Sequence, residues 1–123
     1  MPGIIRMLFC RPVFCLTAFL AGCSAIHGTS TPVGPGAPPR PPGCLVDVYP
    51  VPPDRPYVVV SHLTVNIEKT HFLASRLEEA MPELRAQACR SGADGIIGIT
   101  ERTDSYLESR SYTVSAQGIR FTR

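Results

Sequence analysis

Long hydrophobic runs are missing from this sequence. A helix needs roughly 20 apolar residues to cross a bilayer, whereas the run Val13 to Leu20 (VFCLTAFL) has eight and follows Arg11-Pro12. A transmembrane anchor is therefore not expected. Excess charge is missing too. The chain carries 12 Lys and Arg against 10 Asp and Glu, and Arg6 with Arg11 supplies the whole surplus. Without residues 1–22 the balance is even. That excludes the basic footprint that nucleic acid requires, and membrane attachment resting on basic side chains. No C-x-x-C and no H-x-x-x-H spacing occurs, so the structural zinc patterns are excluded. No serine sits in a G-x-S-x-G turn, which removes the nucleophile elbow of the α/β-hydrolases. No carboxylate pair or phosphate cradle is recognisable. The expectation is a chain that is not an enzyme and needs no cofactor.

What is present begins with the leader. Arg6 and Arg11 precede the apolar run, and the small residues Ala21 and Gly22 follow it, ahead of Cys23. Basic region, short apolar core and small residues are the order of a secretory signal peptide. Leu20-Ala21-Gly22-Cys23 also resembles the lipobox of bacterial lipoproteins. That resemblance implies a signal peptide of residues 1–22 and a mature N-terminus at Cys23, diacylated on sulfur and acylated on its amine. Two or three acyl chains anchor stably where one is marginal, because each buried methylene contributes about 0.8 kcal/mol. In such lipoproteins a serine after the lipidated cysteine implies passage to the outer membrane, and Ser24 holds that place. An ordinary secretory signal cleaved nearby is the alternative.

Of the five cysteines, Cys10 and Cys15 leave with the leader and Cys23 is taken by lipid, leaving Cys44 and Cys89. In an oxidising compartment a lone pair is expected to be bridged; two buried free thiols are the alternative. Closing a loop of this length stabilises by about 4 kcal/mol in the chain-entropy model.

Residues 24–43 hold six prolines and four glycines in twenty positions. That composition predicts a disordered or polyproline II linker, reaching roughly 60 Å at ~3.1 Å per residue. Within it, Pro38-Pro39-Arg40-Pro41-Pro42 is a weak candidate for partner binding. A small domain is expected over 44–123. Leu45–Tyr49 and Tyr57–Ile67 read as strands. An apolar stripe at Leu73, Leu77, Met81, Leu84 and Ala88 predicts a helix over about 71–91. Pro82 interrupts it, so either the helix kinks there or it starts near Ala80 with the proline in its first turn. Gly92 is placed to cap its end in a left-handed conformation. Gly95–Glu101 and Arg110–Arg123 complete the strands. In the last, Tyr112, Val114 and Ala116 share one parity and Ile119 and Phe121 the other, so a β-bulge at Gly118 is expected to return them to one face. The fold expected is α+β: a two-layer, about four-stranded β-β-α-β-β sheet with one helix on one face.

The stretches "VDVYPVPPDRPYVVVSHLTV", "LRAQACRSGADGIIGI" and "VSAQGIRF" together resemble the small domain of the RcsF-type outer-membrane stress-sensor lipoproteins and the YbjQ-like family, described as metal-binding. The resemblance covers about 80 residues and implies a non-enzymatic, periplasm-facing binding or sensing module on the outer membrane, with an envelope protein as candidate partner. It leaves a metal- or small-ligand-binding periplasmic protein as the alternative.

Other side chains have simpler readings. Ser61 and His62 are neighbours in a strand and point to opposite faces, which does not suit a nucleophile and its base. His62 and His71 with Asp47 or Glu68 are a weak metal set, explained equally by solvent-facing positions, and no metal site is assigned. Asp94 is expected to bond local backbone in a turn. Residues 102–109 (RTDSYLES) read as a polar hairpin connection whose exposed Tyr106 and Leu107 are the candidate partner contacts.

Overall fold

The computed structural model describes residues 25–70 and 74–122. Among the described residues five strands form one sheet: β1 (Ala25–Pro32), β2 (Asp47–Tyr49), β3 (Tyr57–Thr70), β4 (Gly95–Ser105) and β5 (Ser109–Phe121). A single helix among the described residues, α1 (Leu77–Arg90), joins β3 to β4. The spatial order is β1-β3-β5-β4-β2. β2 runs parallel to β4 and every other pairing is antiparallel. The α+β class with one helix on the sheet matches expectation; the strand count does not.

The additional strand comes from the segment read as linker. Ala25 to Pro32 pairs residue by residue with Glu68 to Ser61 of β3. Its Pro and Gly content does not prevent this, because an edge strand tolerates a proline at its end and the ladder hydrogen bonds come from β3. Gly28 has a packing reason. A Cβ there would stand 2.4 Å from Glu83 Oε1 and 2.9 Å from Gln87 Nε2, so α1 crosses the strand where a side chain is lacking. Residues 33–46 continue as ordered chain. Val33 N–H donates to Val60 O at 3.0 Å, and Arg40 N–H donates to Cys89 O at 2.8 Å.

α1 starts at Leu77, between the two expected positions, and residues 74–76 are not helical. Pro82 falls in its second turn, so the bond lost is the one its own N–H would have donated to Glu78. The apolar stripe is the buried one: Leu84 and Ala88 are fully buried, and Leu77 and Met81 pack against the same core. Leu73 lies outside the described residues. At the other end Ala93 N–H donates to Ala88 O at 2.9 Å and Gly92 N–H to Cys89 O at 3.1 Å, the pattern of a Schellman motif with Gly92 at φ 77°. The main core lies between α1 and one sheet face, with Leu63, Val65, Ile67, Ile96 and Val114 all buried.

The bulge expected in β5 is not there. β5 is continuous, and the extra residues lie in its neighbours. Val60 is inserted in β3 between the Val59–Ile119 and Ser61–Gly118 pairs. In β4, Gly98 and Ile99 face Ala116 alone, with Gly98 at φ 66° as a glycine bulge requires. Ile119 and Phe121 thus stay on the reverse face, where they have their own cover. Ile119 is fully buried, Tyr49 meets Phe121 edge-on with centroids 5.9 Å apart, and the Arg55 guanidinium lies 4.3 Å from the Phe121 centroid.

Candidate functional site

The chain concentrates its unusual features at the two ends of the sheet. One end carries the bridge. Cys44 and Cys89 form a disulfide with Cα atoms 6.0 Å apart. Beside it the Arg40 guanidinium donates to Ala93 O at 2.9 Å and Leu45 O at 3.2 Å and lies 3.6 Å from Asp94 Oδ1. Asp94 departs from its expected local turn role: its Oδ2 accepts from Phe121 N–H at 3.1 Å, reaching across to β5. A Cβ on Gly92 would stand 2.3 Å from Pro38 O, so the proline segment lies directly on the helix end. The composition of Pro38 to Pro42 gave no hint that Arg40 holds it down. The only available signal was an Arg among prolines with an acidic residue after the helix.

The opposite end is formed by the start of β1, the end of β3 and the β4–β5 hairpin. Ala25 is level with Glu68 of β3, which pairs with Ser111, which pairs with Asp104. The strands run further than expected, through Ser105 and from Ser109, so the connection shrinks to residues 106–108. It is closed by Tyr106 N–H donating to Ser109 O at 2.8 Å. Tyr106 is 61% exposed and Leu107 fully exposed, as foreseen. Just inside this end Lys69 donates to Glu79 and to Ala74 O. The hydrogen bond from Lys69, opposed by partial desolvation, holds the Glu79 carboxyl below its ordinary pKa. Nearby the Tyr112 hydroxyl donates to Glu101. Burial, helped by that carboxylate, raises the Tyr112 pKa above its ordinary value.

The residues weighed for chemistry are kept apart. Ser61 is fully buried against α1, where its hydroxyl donates to Ser91 Oγ at 2.8 Å, and Ser91 in turn donates to Ala88 O. His62, next in sequence, is exposed on the reverse face, level with Thr31 and Gln117. Asp47 sits on β2, with β4 and β5 between it and β3, a separation of about 14 Å at ~4.8 Å per strand. Glu68 is six positions along β3 from His62, roughly 20 Å away at ~3.3 Å per residue. Among the described residues no group of three His, Cys, Asp or Glu is placed to hold a metal ion; His71 lies outside them, as does Cys23. Among the described residues no helix is long and apolar enough to cross a membrane.

Comparison with protein-family models, with curated proteins and with solved structures returns no match in any of the three.

Proposed function

We propose that this chain is a non-enzymatic envelope lipoprotein, a small binding or sensing module held by acyl chains on Cys23 at the periplasmic side of the outer membrane. The observation that carries the reading is the leader: basic residues, a short apolar core, small residues and Cys23, then Ser24. The Cys44–Cys89 bridge supports it, because such bonds persist in oxidising compartments. Kinship with the RcsF-type and YbjQ-like domains belongs to the same proposal and rests on the three stretches that carry the resemblance. Signalling is not carried over with it.

The fold changes how such a module acts. A twenty-residue spacer would let the domain sample tens of ångströms, but the first strand begins at Ala25, two residues after the proposed anchor. The module therefore works at the bilayer surface and meets partners within about one domain diameter of it. The test is Cys23→Ser in cells. The variant should accumulate with its leader attached and incorporate no labelled palmitate; continued labelling would refute the assignment of the anchor. Crosslinking in cells, with identification of the captured proteins, then names the partner.

A further inference from the structure

We infer that the β4–β5 hairpin tip, Tyr106 and Leu107, is a second membrane contact, inserting shallowly into the leaflet that holds the anchor. This rests on the proposed acylation of Cys23 and deepens it, since it fixes which end of the domain faces the lipid.

The argument is geometric. Cys23 is two residues before Ala25, so covalent reach alone keeps their Cα atoms within about 7 Å. Ala25 is level with Ser111 on β5 and Asp104 on β4. Residues 106–108 extend beyond that level in the direction from which the N-terminus enters, by two to three residues or roughly 7–10 Å. Sideways, β5 is two strands from β1 and β4 three, about 10–15 Å at ~4.8 Å per step. A bilayer that holds the anchor thus lies at the height of the tip. The side chains there suit the interface: Tyr106 is an amphipathic ring of the kind enriched at headgroup level, and Leu107 is an aliphatic group with no protein cover. Glu108 follows directly, and its carboxylate stops the tip at the headgroup boundary. Ile26, 48% exposed, is at the same end but one residue inside the level of Ala25, so it does not project beyond it as the tip does. Val58, 48% exposed, lies near the far end of the sheet, paired with Arg120 of β5. β3 runs ten residues from the level of Glu68 to Val58, roughly 33 Å at ~3.3 Å per residue.

The sequence contains no tryptophan, so one introduced tryptophan is a unique reporter. Tyr106→Trp and Val58→Trp are made in the full precursor. The mature lipoprotein is purified and its N-terminal peptide checked by mass spectrometry for acylation. The protein is then reconstituted into phosphatidylethanolamine and phosphatidylglycerol vesicles with brominated acyl chains. Tyr106→Trp should emit at shorter wavelength than in detergent-free buffer and lose intensity to the bromolipid, while Val58→Trp keeps its intensity. Adding Leu107→Asp to Tyr106→Trp should reverse most of that loss. An unacylated N-terminal peptide sinks the lipoprotein reading itself. Acylated, vesicle-bound protein in which both reporters stay equally unquenched overturns the membrane contact and leaves that reading intact. In that case, crosslinking from position 106 to an envelope protein would assign the tip to a protein partner.

Discussion

Removing the Cys44–Cys89 bridge should cost the domain a large part of its stability, and nearly all of that cost should arise in the denatured chain. The two residues are 45 apart, and closing such a loop lowers the entropy of the unfolded ensemble enough to stabilise by about 4 kcal/mol at 25 °C. A domain of this size has roughly 5–15 kcal/mol in total, so the reduced protein stays folded at low denaturant but with little margin. The native side should change little. Arg40 still donates from its backbone to Cys89 O and from its guanidinium to Leu45 O and Ala93 O, holding the segment on the helix end after the sulfur–sulfur bond is gone. The measurement is urea unfolding followed by circular dichroism, with and without reductant, repeated on a Cys44→Ala/Cys89→Ala variant. Two results are expected together: a loss of about 4 kcal/mol, and a steeper dependence on urea, because an uncrosslinked chain exposes more surface when it unfolds. A loss below about 1 kcal/mol, the scale of one hydrogen bond, with an unchanged slope would refute this. It would mean that the unfolded chain is compact without the bridge, so that closing the loop removes little of its entropy.

Gly92→Ala should destabilise by about 2–4 kcal/mol in the same assay, since it combines a left-handed φ of 77° with a Cβ placed 2.3 Å from the Pro38 carbonyl oxygen; a loss within experimental scatter would show that the proline segment can lift off the helix end. The Lys69–Glu79 pair gives a pH signature whose sign follows from the lowered carboxyl pKa. Its contribution is whole above the ordinary value of 4.5 and fades as pH falls through the lower, folded-state value. Glu79→Gln should therefore narrow the stability gap to the parent as acid is added, and a gap that widens would reverse the assignment.

Much of the helical layer and four of the five strands were readable from pattern alone, because their side chains are sorted by face. Leu63, Val65 and Ile67 alternate, and Leu77, Met81, Leu84 and Ala88 recur with the helical period. β1 had no such signal. Its helix-side positions are Ile26, Gly28, Ser30 and Pro32, chosen for closeness to α1 rather than for apolar burial. A strand held by its neighbour's ladder and a helix lying on a glycine looks, by composition, like a spacer. The parity change in β5 was seen correctly but explained wrongly. A second apolar cluster on the reverse face, built with Tyr49 and Arg55 from distant parts of the chain, leaves Ile119 and Phe121 where simple alternation puts them. The hairpin tip was found because Tyr106 and Leu107 stand out among polar neighbours. Its relation to the N-terminus needed the register of four strands.

The strand order has a consequence for biogenesis. β5, the last of the five strands along the chain, sits in the middle, between β3 and β4. Until it arrives the chain can form only two fragments, β1 with β3 and β2 with β4, and nothing else in the sheet joins them. The sheet therefore stays open until β5 has been made. A product clipped before residue 109 is left as two half-sheets with bare edges, ready for a protease.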